Sequence, residues 1–188
     1  MLAHCGTKRI ETERLLLRPF EPHDAEDMLM YWISDPLVQS MYFEPVYSSI
    51  PEVQEMLGKI ISSYNKDDYY RWAIIEKETQ ICIGQIAFFL VDSGNHFGEL
   101  EYCIGQLFQR KGYATEATKA VVDYGFRKVH FHKIQICHAD SNSASKGVIS
   151  KCGFTYEGTL RDYFFIEGRY ASRLYYSMLR DEWEAPVV

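Results

Sequence analysis

The sequence predicts an α+β protein whose mixed, mostly antiparallel sheet is flanked by helices, and three observations lead there. Between Arg71 and Gly105, three runs rich in β-branched and aromatic residues recur at hairpin spacing. The last of them, a helical run after Gly112 and the stretch KIQICHAD then form a strand–helix–strand unit. Such a unit requires one parallel crossover, right-handed by the usual chirality. Finally, a chain of 188 residues with 47% apolar and 24% charged residues has the size and composition of one well-filled domain, residues 1–188, and no linker or repeat divides it.

The elements follow in order. Glu13 to Phe20 alternates as a strand, and Pro22, Asp24 and Glu26 open the apolar-periodic run DMLMYWI as acidic residues and a first-turn proline do at a helix start. SDPLVQSMYFEPVYSS reads as a loop. In PEVQEMLGKIISSYN, residues Val53, Met56, Leu57, Ile60 and Ile61 share one helical face, and Ser49 is placed to cap the first amides. Arg71 to Ile75, Ile81 to Leu90 and Phe97 to Gly105 make an antiparallel meander. ATEATKAVVDYGFRKV keeps helical period, KIQICHAD returns as a strand, and SASKGVISKCGF is a helix closed by Gly153. FTYEGTLRDYFFIEG and RYASRLYYSMLRDEW read as a long hairpin turning at Glu167 and Gly168.

Composition narrows the function classes. A net charge of −6 argues against general affinity for a nucleic acid backbone, which needs a clustered basic surface. No stretch has the apolar length of a membrane helix or the core of a secretory signal, so a cytoplasmic protein without a membrane partner is expected. Cys5, Cys82, Cys103, Cys137 and Cys152 are odd in number and scattered, and read as buried thiols in a reducing compartment. Monomer and homodimer both stay open, since the final hairpin edge is one that a second copy could pair with.

The chemistry concentrates at QRKGYATEATKAV, Gln109 to Val121. A glycine-bearing loop feeding a helix presents unpaired amides and the positive end of the helix dipole, which suit a phosphate or diphosphate, and Arg110 and Lys111 add charge. Neither GxxxxGK[ST] nor GxGxxG after a first strand is present, so nucleotide hydrolases and dinucleotide folds are excluded. In FGELEYCIG, Glu99 and Glu101 lie two apart on a strand and project to one face. Two close carboxylates there would hold a cationic amine and take its proton, directly or through water. VHFHKIQICH offers His130, His132, Cys137 and His138, but Cys137 and His138 point to opposite faces of a strand and the spacing fits no zinc pattern, so no metal is expected.

EYCIGQLFQRKGYATEA, with Gln109, Gly112 and Ala114 in a Q-x-x-G-x-A pattern after a strand, resembles the acetyl-CoA motif of the GNAT N-acetyltransferase superfamily. TERLLLRPF with Asp24 and Ala25, NSASKGVISKCGFTYEG and YSMLRDEW extend the resemblance over nearly the whole chain, in the order of the RimJ/RimL-type branch that acetylates protein N-termini. It implies the acyl-CoA N-acyltransferase fold, in the order β-α-α-β-β-β-α-β-α-β-β. It also implies that the diphosphate of CoA sits on the amides from Gln109 through Arg110, Lys111, Gly112 and Tyr113 to Ala114, and that pantetheine fills a gap where strand Glu99 to Gly105 splays from the strand beginning near Lys133. Lys146 and Lys151 would join Arg110 and Lys111 in balancing the cofactor's charge on an acidic protein.

The resemblance further implies roles. Glu99 matches a general-base position and is the preferred base, although Glu101 lies closer to the expected thioester. The Ile104 amide is the implied donor to the thioester oxygen, Ser145 the implied acid for the leaving thiolate, and Asn142 a hydrogen-bonding partner of cofactor or water. Ser145 also reads as a helix-start cap, and Tyr163, Tyr175 and Tyr176 are candidate wall residues or proton donors, although tyrosines in a C-terminal hairpin are more often packing groups. No cysteine stands where a covalent nucleophile is expected, which implies direct attack of a primary amine within a ternary complex. A protein or peptide N-terminus is the implied acceptor; a small amine such as an aminoglycoside or polyamine, or a CoA-binding module without turnover, are the alternatives. Ser172 and Phe164 stand where the branch carries acidic residues, which leaves the acceptor open.

Overall fold

The computed structural model describes residues 1–41, 44–166 and 168–184. A short strand β1 (Ile10–Glu11) precedes β2 (Leu15–Arg18), whose Leu15 and Leu17 are fully buried. Arg18 carries the chain into α1 (Asp24–Met28) by gripping the buried Asp24 carboxylate at 2.7 and 2.8 Å. α1 continues into a π-helical turn, Leu29–Ile33.

The segment expected as a loop contains a helix, α2 (Pro36–Ser40), because Asp35 accepts from the amides of Leu37 and Val38 and a proline occupies the first helical position. α3 (Ile50–Ser63) buries Val53 and Leu57. Its expected cap is also corrected: Ser49 makes no side-chain capping bond, and the Glu52 carboxylate instead accepts from the Ser48 amide at 2.9 Å.

The meander follows as β3 (Tyr70–Glu76), β4 (Cys82–Asp92) and β5 (Phe97–Ile104), with a bulge in β4 between Phe88 and Leu90. α4 (Tyr113–Tyr124) runs into a π-helical turn, Gly125–Val129, and returns the chain to β6 (Lys133–Ala139) parallel to β5. α5 (Ser143–Lys151), β7 (Thr155–Ile166) and β8 (Arg169–Leu179) complete the order. β8 stops at Leu179, whose amide donates to the Glu182 carboxylate, so RDEW, expected within the strand, lies in a terminal helix α6 (Arg180–Glu184). Gly168 takes φ +79 at the hairpin turn, while Glu167 lies outside the described residues.

The strands form one eight-stranded sheet in the order β1-β2-β3-β4-β5-β6-β8-β7, antiparallel throughout except for β5 against β6. Each face carries its own core. α4 and α5 pack over Trp72, Ile86, Leu100 and Ile134, and α1 to α3 cover Ala73, Ile75, Cys82 and Cys103 together with Trp32 and Leu57. Alternation therefore assigns Glu99, Glu101 and Cys103 to the α1–α3 face and Leu100, Tyr102 and Ile104 to the α4–α5 face. Among the described residues no helix is long and apolar enough to cross a membrane.

Candidate functional site

The sheet opens between its two parallel strands. β5 and β6 pair only from Phe97 with Lys133 to Leu100 with Ile136; beyond that, β5 stays on β4 and β6 stays on β8. The wedge between them is a cleft of about 980 Å³. Its β5 wall is an unused strand edge. The Gly105 amide donates to the Ile83 carbonyl, so Gly105, Cys103 and Glu101 direct their backbone groups at β4, and Tyr102 and Ile104, between them, direct theirs into the cleft. The Ile104 carbonyl is taken by the Gln109 side chain at 2.9 Å, which leaves the Ile104 amide as a donor without an acceptor among the described residues.

At one end of the cleft stands the loop before α4. A 3₁₀ turn, Gln106–Phe108, leads to Arg110 at φ +61 and Gly112 at φ +88. A side chain at Gly112 would be strained in that left-handed conformation, and its Cβ would lie 3.3 Å from an Arg14 nitrogen. Among the described residues no acceptor meets the amides of Arg110, Lys111, Gly112, Tyr113 and Ala114, a consecutive series that runs into the N-terminus of α4. Gln109 is different: its amide already donates to Gln106 at 3.2 Å, so the free series begins one residue later than expected.

Arg110, Gly112, Ala114, Asn142, Ser145 and Lys151 line the cleft, whereas Lys111 and Lys146 are exposed outside that lining. The Tyr113 side chain turns inward, its hydroxyl donating to the Glu76 carboxylate, and contributes only its amide.

α5 forms the opposite lip. Asn142 caps it by accepting from the Ser145 amide at 3.0 Å, so the expected cap role of Ser145 belongs to Asn142, and the Ser145 hydroxyl is left at the cleft. That hydroxyl accepts from Tyr102 Oη at 3.1 Å. Burial pushes the Tyr102 phenol above its ordinary value, which keeps it a donor at neutral pH. Sequence reading missed Tyr102, although its position beside Glu101 on a strand fixes it to the other face.

The two glutamates separate. Glu99 is 4% exposed and lies outside the cleft lining; its carboxylate accepts from Arg173 at 2.6 Å and from Gln135 at 2.8 Å. Arg173 is itself packed against the rings of Tyr163 and Tyr175 at 5.0 and 4.6 Å. Glu101 does line the cleft, one residue past the point where β5 leaves β6, and accepts from Arg71 at 2.8 Å.

Tyr176 stacks on His138, away from these carboxylates. Two cysteines, Cys103 and Cys137, line the cleft. Burial raises both thiols, Cys137 to about 11, so both are protonated at neutral pH. Among the described residues no cluster of His, Cys, Asp or Glu could hold a metal.

A strand edge facing an open wedge suits an amide-bearing arm, and a series of free amides with Arg110 and Lys151 suits a diphosphate, so the donor set fits acetyl-CoA. The comparisons agree. The acetyltransferase (GNAT) domain model matches residues 14–155. An uncharacterized N-acetyltransferase, p20, of Bacillus licheniformis is 32% identical, covering 92% of this chain and 96% of its own. The Escherichia coli [ribosomal protein uS5]-alanine N-acetyltransferase is 25% identical over 93% of this chain and 92% of its own. The crystal structure of spermidine N-acetyltransferase from Vibrio cholerae, in complex with CoA and spermine, superposes with a TM-score of 0.79 at 25% identity, covering 93% of this chain and all of the other. The chain belongs to the acetyltransferase (GNAT) domain family and is an N-acetyltransferase that uses acetyl-CoA.

Proposed function

We propose that the acceptor is the α-amine of a protein or peptide N-terminus. One observation carries this reading: Glu101, the one of the two glutamates that lines the cleft, is neutralised by Arg71, and Glu99 is buried outside the lining against Arg173, while Leu37, Met41, Phe89 and Phe164 supply apolar surface to the cleft. A polyamine needs several unpaired carboxylates spaced along its length; a peptide end carries a single charge. The kinship with a uS5-alanine acetyltransferase supports the same reading. The polyamine reading is second, favoured by the spermidine enzyme and by Glu44, whose carboxyl is raised by burial and by the charge of Glu101 nearby.

In this reading acetyl-CoA, when bound, supplies a thioester open to direct attack. The Ile104 amide donates to the thioester oxygen as charge grows there, a donor already aimed before the reaction begins. Glu101 takes the proton of the amine, through water, a modest demand for an α-amine titrating at about 8 against about 10.4 for a lysine. The Ser145 hydroxyl would donate a hydrogen bond to the departing thiolate, with Tyr102 Oη donating into its lone pair and so turning its hydrogen outward. Glu99 positions Arg173 and touches no reacting atom. Cys103 and Cys137, held as thiols, are unsuited to carrying the acetyl group, which favours a ternary complex.

The test is CoA release with peptides beginning Ala, Ser or Thr beside lysine peptides, spermidine and an aminoglycoside, for the wild type and Glu101→Gln. N-terminal peptides should be preferred by at least about tenfold in kcat/KM, and Glu101→Gln should lower kcat by about 10². A preference for spermidine would overturn the acceptor assignment, and an unchanged kcat would overturn the base.

A further inference from the structure

We propose that Arg14 is a positioning residue for donor binding: it aims the loop amides before α4 without itself lining the cleft. The proposal rests on the reading of that loop as the diphosphate site. Arg14 stands just ahead of β2, far from the loop in sequence, yet Nη1 donates to the Lys111 carbonyl at 2.9 Å. Its other side holds Glu116 in the first turns of α4: Nε and Nη2 each approach Oε2 at 2.7 Å, and the Arg14 amide donates to Oε1 at 2.9 Å. Thr12 Oγ1 adds a bond to Oε1 at 2.6 Å. The guanidinium carbon lies 4.6 Å from the centroid of the Tyr113 ring. One side chain thus ties the loop, the first helical residue and the helix to the sheet.

The geometry gives that tie a direction. None of the described peptide bonds is cis, and in a trans peptide the C=O of one residue and the N–H of the next point opposite ways. Drawing the Lys111 carbonyl toward Arg14 therefore turns the Gly112 amide away from it, and Gly112 lines the cleft whereas Arg14 does not. Lys111 is flanked by Arg110 and Gly112, both at positive φ, so the loop has no regular ladder of its own to fix that peptide plane. Without Arg14, the Lys111–Gly112 plane is free to rotate and the Gly112 amide loses its aim. The ion pair with Glu116 also consumes most of the guanidinium's charge, so its contribution is orientation more than attraction.

Arg14→Met keeps a stem over Tyr113 and removes the bonds; Arg14→Lys keeps the charge and loses the fork. KM is measured for acetyl-CoA and for acetyl-pantetheine, which lacks the diphosphate, with thermal unfolding alongside. Arg14→Met should raise KM for acetyl-CoA about tenfold and leave that for acetyl-pantetheine within about twofold, with kcat nearly unchanged. Arg14→Lys should show most of the same loss. Equal losses on both donors, or full recovery in Arg14→Lys, would overturn the proposal, the first by making Arg14 a general support and the second by making its charge sufficient. A wild type that does not prefer acetyl-CoA over acetyl-pantetheine would overturn the diphosphate reading itself, independently of Arg14.

Discussion

Replacing Arg173 with methionine leaves the Glu99 carboxylate buried without its cation. The pair is short, 2.6 Å between Nη2 and Oε1, and its side chains are 14% and 5% exposed, so little water is available to take over. Removing one partner of such a pair costs roughly 3–5 kcal/mol, because the remaining charge is stranded. For a chain of this length that corresponds to a fall in Tm of about 10 °C. Glu99→Gln should cost less, since the amide still accepts through its oxygen. Arg173→Met with Glu99→Gln should recover more than half of the loss caused by Arg173→Met alone. Urea unfolding of the wild type, both single variants and the double variant gives the coupling directly. Additive effects, or a loss below about 1 kcal/mol for Arg173→Met, would refute the view that this pair is a buried, mutually dependent unit.

Other expectations follow from the same contacts. Tyr102→Phe removes the donor to Ser145 and should lower kcat about tenfold with KM for acetyl-CoA unchanged, as read by steady-state kinetics. Gly105→Ala puts a Cβ 2.5 Å from the Tyr31 carbonyl oxygen and should cost at least about 2 kcal/mol in urea unfolding.

Glu116 lies below its ordinary carboxylate value: burial pushes it up, but its bonds to Thr12 and Arg14 outweigh burial. The unfolded chain therefore binds its proton first, so the stability Glu116 contributes is present above the ordinary value of 4.5 and is lost as pH falls through the lower folded value. Glu116→Gln should flatten the acid limb of the stability–pH curve; an unaltered limb would contradict the assignment.

Much of the fold was legible because periodicity and punctuation agree: the meander, the crossover through α4 and the glycine before it all stand where alternation and turn chemistry put them. The misses have local causes. α2 is short enough that its Asp35–Pro36 start was the only signal, and the serine expected to cap α3 was displaced by Glu52 reaching back to Ser48. At the site, the backbone was more readable than the side chains. A motif can announce free amides, but which carboxylate faces the cleft depends on partners far along the chain: Arg173 and Gln135 withdraw Glu99, and Arg71 holds Glu101 at the wall. Tyr102 and Arg14 act through residues 43 and 97 positions away, a pairing no local pattern contains.

In the proposed complex acetyl-CoA lies between β5 and β6 with its diphosphate on the loop before α4. Adding CoA to uniformly nitrogen-labelled protein and following backbone amide resonances tests this. The largest shifts should fall on Arg110 to Ala114 and on Tyr102 and Ile104, with little change on β1 to β3. Saturating CoA that leaves the Gly112 and Ile104 amides unmoved would contradict it.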